Sequence, residues 1–273
     1  MTSTATPSAE IIPRPAGLLQ ADHWGRSEAA RKLVRQLFEP AYRYWFRAEI
    51  EGWEAIPRDR GVLLVANHAG AVPIDAAILM HGLEHLLDRP LYALHHHGLR
   101  ATPFVGTFLA RNGGVVAQRE NAYRLLHVEQ AAVLVFPEGT KGTTKPFSQR
   151  YHLQRFGRNG FVETAMRAGV PIVPIAVVGT EETQPTLVRL PVRGSSDGIP
   201  VTLNMLLFGP LAPLVHFPSK VRARVLDPIP MTAPPGLDRY PPGDLADVGE
   251  AIREQLQEAV DDLRSSRRSV WRG

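Results

Sequence analysis

A histidine and an aspartate stand seven positions apart in Asn67-His68-Ala69-Gly70-Ala71-Val72-Pro73-Ile74-Asp75, directly behind the apolar run Val62-Leu63-Leu64-Val65-Ala66. An imidazole takes up a proton near neutral pH, and a carboxylate at its other ring nitrogen fixes the tautomer and steadies the imidazolium. His68 and Asp75 therefore read as a general base with its orienting acid, a pair suited to activating a hydroxyl. Three more segments place polar groups after an apolar run. Gly113-Gly114-Val115-Val116-Ala117-Gln118-Arg119 delivers Arg119, whose planar fork suits a phosphate or carboxylate. Phe136-Pro137-Glu138-Gly139-Thr140-Lys141 delivers a carboxylate, a glycine, a hydroxyl and a cation in sequence. Val170-Pro171-Ile172-Val173-Pro174-Ile175 carries two prolines in an apolar run, which predicts an edge or irregular strand because proline cannot donate to a ladder.

The elements that must position these residues follow a regular alternation. Strands are expected at Val62–Ala66, Leu91–Leu94, Gly114–Ala117, Ala132–Phe136, Val170–Val178 and Val221–Leu226. Helices are expected at Ile74–Leu87, Pro103–Ala110, Asn121–Glu129 and Gly160–Ala168. The alternation predicts an α/β fold, a central and largely parallel sheet with helices on both faces, where chemistry gathers beyond the carboxyl strand ends. Amphipathic helices frame it. One begins after Ser27 and is kinked by Pro40, with Leu33, Val34, Leu37, Ala41, Tyr44 and Trp45 opposite a basic face of Arg31, Lys32, Arg35, Arg43 and Arg47. The other follows the Pro-rich linker 230–242 and ends in a basic tail. Residues 1–22 read as a flexible tail, 23–230 as the main domain, and 231–273 as linker plus C-terminal helix. Residues 181–219 break the rhythm and either line an apolar groove or close the core.

Composition narrows the chemistry. With 273 residues the chain can bury a full core. It has no cysteine, which removes disulfides, thiol nucleophiles and thiolate metal sites. Lys and Arg outnumber Asp and Glu by 31 to 27, a mild basic excess suited to anionic lipid, an acidic cofactor or nucleic acid, or to a solvated surface. No apolar stretch approaches the ~20 residues of a membrane span. The N-terminus lacks the order of a signal peptide, so the expectation is a cytoplasmic protein, peripheral on the inner face of the membrane.

In order and content the four segments resemble the motifs of the glycerolipid O-acyltransferase superfamily, which includes the lysophosphatidate acyltransferases. The resemblance spans about residues 45–230 and extends to Glu51-Gly52-Trp53-Glu54-Ala55-Ile56-Pro57 and to Asp227-Pro228-Ile229. It implies a glycerol-3-phosphate acyltransferase-like fold and transfer of a fatty acyl group from acyl-CoA or acyl-ACP to a hydroxyl of a glycerolipid or lysophospholipid. His68 and Asp75 would be catalytic, and Arg119, Glu138, Gly139, Thr140 and Lys141 would bind substrate, with Lys145 a further cation. No metal and no cofactor beyond the acyl thioester is implied. Two departures stand out: Asp75 comes seven rather than five positions after His68, because Pro73 holds the usual acidic place, and Lys141 replaces the arginine that closes the third motif. The form Asn-His-x-Gly-x-x-Pro-x-Asp is similar to the monoacylglycerol and diacylglycerol acyltransferase-like branch, as are Tyr151-His152-Leu153 and Gly160-Phe161.

Other readings compete. His81-Gly82-Leu83-Glu84-His85 spells a zinc-peptidase motif, and His95-His96-His97 invites a metal; Gly82 weakens the first as a helix, and alternate strand residues diverge in the second. A catalytically silent lipid- or acyl-carrier-binding protein on the same fold is the alternative from another class. Basic residues are dispersed and no nucleic-acid motif occurs, so no nucleic acid is expected as partner. The basic–aromatic face at 31–47 and the apolar piece at 205–215 point to membrane contact. The sequence leaves the oligomeric state open.

Overall fold

The computed structural model of the chain describes residues 20–100, 102–156, 159–192, 195–237 and 239–272. The N-terminal tail expected at 1–22 lies outside them up to residue 19. The first element is helix α1 (Glu28–Pro40), capped by the Ser27 hydroxyl; Pro40 ends its regular ladder, and a π-helical turn follows over Ala41–Trp45. Then come β1 (Glu49–Glu51), β2 (Val62–Ala66), α2 (Ile74–Leu87), β3 (Leu91–His95), α3 (His97–Arg100), α4 (Val105–Arg111), β4 (Gly114–Val116) and α5 (Arg119–Tyr123). They are followed by β5 (Ala132–Val135), α6 (Thr140–Thr144), α7 (Gly160–Ala168) and β6 (Ile172–Val178). A hairpin of β7 (Thr186–Val192) and β8 (Ser195–Thr202), helix α8 (Leu203–Phe208), β9 (Arg222–Val225) and α9 (Pro242–Ser265) complete the order.

Seven strands form one sheet in the order β1-β9-β6-β2-β5-β3-β4. From β6 to β4 all neighbours are parallel, whereas β9 runs antiparallel to β6 and parallel to β1. Period-two alternation divides the core. Val62, Leu64 and Ala66 pack with Ile78, Leu79 and Leu83 of α2, while Leu63 and Val65 pack with Val162 of α7 and Ile252, Leu256 and Val260 of α9. The chain leaves β2 over one face and β5 over the other, although the two strands are neighbours. Their carboxyl ends therefore flank a crevice, the switch point where α/β sheets bind ligands.

Two expectations are corrected. The proline-rich strand is not at an edge: β6 lies between β9 and β2 and is buried along its whole length. Its prolines cost no rung, because Pro171 precedes the strand and Pro174 lies just past the last β6–β9 pair, Ile175 with Val225. The Pro174 carbonyl still accepts the Leu226 N–H at 2.9 Å. The second correction concerns α1. Arg31 is buried and donates to Glu84 of α2 at 2.7 Å, with Arg26 at 3.1 Å from the same carboxylate. This ion cluster turns Arg31, Val34, Phe38 and Ala41 inward, so Leu33, Leu37, Tyr44 and Trp45 are exposed instead of packed. The segment after β6 forms a separate hairpin and a short helical lobe, neither foreseen from its turn-rich sequence.

Removing Glu84 would leave the buried Arg31 without a counter-charge and Arg26 with Glu28 alone. Glu84→Ala is expected to lower the unfolding free energy by about 3–5 kcal/mol, read from denaturant midpoints; a loss under about 1 kcal/mol would show that the cluster is dispensable.

Candidate active site

The catalytic pair expected from sequence is assembled. His68 leaves the carboxyl end of β2 and Asp75 sits in the first turn of α2, with the Asp75 Oδ2 2.8 Å from His68 Nδ1. Two extra residues separate them relative to the usual motif spacing. A tight turn, in which the Ile74 N–H donates to Val72 O at 2.8 Å, takes them up, helped by Gly70 at φ +85°. Asp75 is fully buried; its Oδ2 also accepts the Ala69 N–H at 2.8 Å and its Oδ1 the Ala76 N–H at 2.7 Å. Two backbone donors at the helix start thus hold the carboxylate in place. An ionised Asp75 accepts only, so the proton belongs on Nδ1 and leaves Nε2 as the basic nitrogen. Phe136 stacks on the imidazole at 4.2 Å between centroids, 24° from parallel, which pins the ring plane.

The backbone beneath His68 is held as firmly. Glu138, just beyond β5 and 4 % exposed, accepts the His68 N–H with Oε1 at 2.8 Å and the Gln154 N–H with Oε2 at 2.6 Å. Burial pushes this carboxyl above the usual range, against the pull of Lys145 and the two N–H donors. Both oxygens of Glu138 thus accept backbone N–H groups, a structural role that the sequence reading, which expected substrate binding, did not include. Asn67 adds a rung to the sheet: its Nδ2 donates to Val177 O at 2.9 Å and its Oδ1 accepts the Val177 N–H at 2.7 Å. Gly142 in α6 lies against His68; a Cβ there would come within 2.7 Å of His68 O and 2.9 Å of His68 Cβ. Sequence reasoning assigned no role to Asn67, Phe136 or Gly142. The signal for Asn67 was present, as a short amide directly at a strand end.

The remaining expected residues spread around the mouth. Gly139, Thr140 and Lys141 are exposed at the start of α6, beside the turn that packs on His68. Lys145 is buried, bridging Glu181 at 2.5 Å and the His152 carbonyl at 3.1 Å, so it does not face solvent. Arg119 stands at the end of β4, three strand spacings or about 14 Å from β2. It is 61 % exposed and pairs with Glu163 of α7 at 3.0 Å. Beside it opens an apolar cavity of about 180 Å³, lined among others by Leu63, Leu94, Val135 and Phe161. This cavity lies on the α7 side of the sheet, and Phe136, the next residue after Val135, carries the imidazole on the α2 side. The metal readings find no geometry: His81 Nε2 is 2.7 Å from Glu39, burial holds His81 below the usual imidazole range, and Glu84 is taken by Arg26 and Arg31. Among the described residues no group of three His, Cys, Asp or Glu could hold a metal ion.

Comparison with known proteins agrees with this architecture. A protein-family model described as Acyltransferase matches residues 47–178. The chain is 34 % identical to an uncharacterised protein of Mycobacterium tuberculosis, over all of this chain and 80 % of the relative. It is 26 % identical to the human "DGAT1/2-independent enzyme synthesizing storage lipids", over 74 % of this chain and 60 % of that protein. The crystal structure of the 1-acyl-sn-glycerophosphate acyltransferase PlsC from Thermotoga maritima shares the fold. Its TM-score is 0.57 at 22 % identity, covering 86 % of this chain and 80 % of that one. Four ordered motifs, the sheet that brings their ends together and these matches make the chain a member of the glycerolipid acyltransferase superfamily.

Proposed function

We propose that the chain transfers a fatty acyl group from a coenzyme A or acyl-carrier-protein thioester to a hydroxyl of a glycerolipid or lysophospholipid, with His68 as general base. The observation that carries this reading is the buried Asp75 carboxylate at 2.8 Å from His68 Nδ1, which engages that nitrogen and leaves Nε2 as the other, basic one. His68 Nε2 takes the proton of the acceptor hydroxyl as its oxygen attacks the thioester carbonyl. When the tetrahedral intermediate collapses, the C–S bond breaks and the departing thiolate takes that proton from the imidazolium. General-base assistance of this kind is worth roughly 10²–10⁴ in rate. Asp75 orients the imidazole and steadies its charged form, as a triad carboxylate does. The chemistry so written calls for no metal or further cofactor.

For the oxyanion, two glycines compete. The Gly139 N–H already donates to Phe136 O at 3.0 Å, which favours the Gly70 N–H. Lys141, exposed at the start of α6, and Arg119, about 14 Å from β2 along the strand ends, suit the phosphate of a donor or acceptor; Lys141, a point charge without a fork, fits an acceptor with or without phosphate. The name of the human relative, a storage-lipid synthesiser, favours neutral glycerolipid acceptors.

A lipid acceptor requires access to a lipid surface, and the exposed apolar residues suit that task. Among the described residues no helix is long and apolar enough to cross a membrane. Connectivity puts four segments at the end of the sheet that carries His68: the turn before β1, the loop after β3, the lobe after β8 and the C-terminal tail. On them lie Trp45, Phe104 (91 % exposed), Leu206, Leu211, Leu214 (81 %) and Trp271, whereas Val128 and Leu237 lie at the other end. Residues 203–216 carry no charged side chain, while segments 41–48, 95–100 and 266–272 carry six arginines, of which Arg267 is buried on Glu182, and no acidic residue. The lobe is also tied to the site loop: Gln184 accepts the Val72 N–H at 3.0 Å and donates to Ala212 O at 2.9 Å. An apolar knob ringed by arginine and tryptophan fits an anionic bilayer surface.

Purified enzyme given labelled acyl-CoA and a panel of lysophosphatidate, monoacylglycerol, diacylglycerol and lysophospholipids should form an acylated lipid identified by mass. His68→Ala is expected to lower turnover by about 10²–10⁴, and Asp75→Asn by less; full activity of His68→Ala would remove the base assignment. Thioester hydrolysis without acceptor dependence would indicate a thioesterase, and substrate binding without turnover a silent binding protein. In a second experiment the wild type should co-sediment with vesicles containing anionic lipid. Leu206→Glu with Leu214→Glu should weaken this at least tenfold, as loss of about 1.5–3 kcal/mol per leucine requires; equal binding by both proteins would refute the docking face.

A further inference from the structure

The acid–base pair is bracketed by the C-terminal helix, which no sequence motif reaches. Gln257 of α9 accepts the Leu153 N–H with Oε1 at 2.9 Å and donates from Nε2 to the Tyr151 carbonyl at 2.9 Å. Asp261, one turn further along, accepts from the same Nε2 at 3.2 Å and presets the amide. The next amide after Leu153, that of Gln154, donates to Glu138 Oε2 at 2.6 Å, and Glu138 Oε1 receives the His68 N–H at 2.8 Å. A continuous series of short contacts thus runs from the side chain of Gln257 to the backbone of His68.

The segment between them is held in a conformation that it would not adopt alone. Tyr151 has φ +66°, the left-handed region that favours glycine, yet it is buried and bulky. Such a residue persists only where its surroundings over-determine it. Here the Tyr151 N–H donates to Glu181 at 2.6 Å, its hydroxyl to Glu182, and Arg267 of the tail donates to Glu182 at 2.5 Å. Lys145 adds a hydrogen bond to the His152 carbonyl at 3.1 Å. Of these partners Gln257 alone reaches two backbone groups of the segment, those on either side of His152, and it is the contact that immediately precedes the Gln154 donor.

We infer that Gln257 is a positioning residue for the general base, acting through residues 151–154 and Glu138; this rests on His68 being that base. Gln257 touches no reacting atom. It fixes where Gln154 offers its N–H, hence where Glu138 stands and where the His68 backbone leaves β2. A displacement of the base by about 1 Å can cost 10²-fold in rate without changing substrate affinity.

The test uses the full chain with Gln257→Met, similar in length but without either hydrogen bond, and Gln257→Glu, which keeps the acceptor for Leu153 and loses the donor to Tyr151. Glu258→Ala, exposed on the same turn, is the control. Gln257→Met should lower kcat about tenfold or more while KM for the acyl donor stays within twofold, and Gln257→Glu should fall between it and the wild type. The downfield proton resonance of the His68–Asp75 hydrogen bond should shift or broaden in the same order, with Glu258→Ala unchanged. That resonance is independent of turnover, so it separates failure of the positioning role from failure of the acyltransfer reading. Wild-type kcat in Gln257→Met together with an unmoved resonance would overturn the proposal; if that variant does not fold, Gln257→Glu decides by the same two measurements.

Discussion

One buried carboxylate joins the two strand ends that face each other across the switch point. Glu138 leaves β5, yet its two oxygens serve the His68 amide from β2 and the Gln154 amide from the long connection to α7. An interior amide without a partner costs about 1–3 kcal/mol, and an unpartnered carboxylate costs more. Glu138 and these two donors resolve one another's desolvation. Asp75 repeats the arrangement from the opposite side, taking the Ala69 amide and the His68 ring. Two consecutive amides of one turn are thereby held by two carboxylates from different elements, and the imidazole between them has little freedom left. Phe136 and Gly142 close the remaining space, one by stacking and the other by having no side chain.

The parts of this arrangement that were legible in the sequence are those written in local pattern. The runs Val62–Ala66 and Ile74–Leu87 fold as their apolar content predicts, and the polar residues behind them stand at carboxyl strand ends. What could not be read depends on partners distant in the chain. Nothing near Arg31 announces Glu84, 53 residues away, so an arginine on a helix reads as solvated until the ion cluster draws it inward. The same holds for Pro174, whose harmlessness depends on where β9 departs, and for Gln257, an ordinary amide on a helix until residues 151–153 come to lie against it. The hairpin β7–β8 was masked by Pro and Gly, which mark turns equally well within and between elements. Glu138 shows a different limit: its place behind β5 was legible, but the amides of His68 and Gln154 that its oxygens accept lie 70 and 16 residues away.

Buried ion pairs recur where a peripheral segment meets the domain. Arg26 and Arg31 fasten α1 to Glu84, Arg267 fastens the tail to Glu182, and Lys145 meets Glu181 under the site loops. Charged contacts of this kind specify a register more than they add stability. Because the anchoring is polar, through ion pairs for α1 and the tail and through the Gln184 and Asn204 amides for the lobe, Leu33, Leu37, Leu206, Leu214 and Trp271 are left exposed. Polar anchoring inward and apolar exposure outward are two sides of one allocation of residues.

Asn67 carries a consequence beyond its own two hydrogen bonds. Its side-chain amide stands in for a peptide group against Val177, so the sheet gains a rung after the β2 backbone has already departed. Aspartate, identical in shape, would face the Val177 carbonyl with an acceptor instead of a donor, and glutamine would overshoot by a methylene. The position therefore discriminates between nearly isosteric residues more sharply than the apolar positions around it. It also frees the main chain to turn one residue early, and that single residue is what carries an imidazole out of the strand and onto the Asp75 carboxylate, still only 12 % exposed.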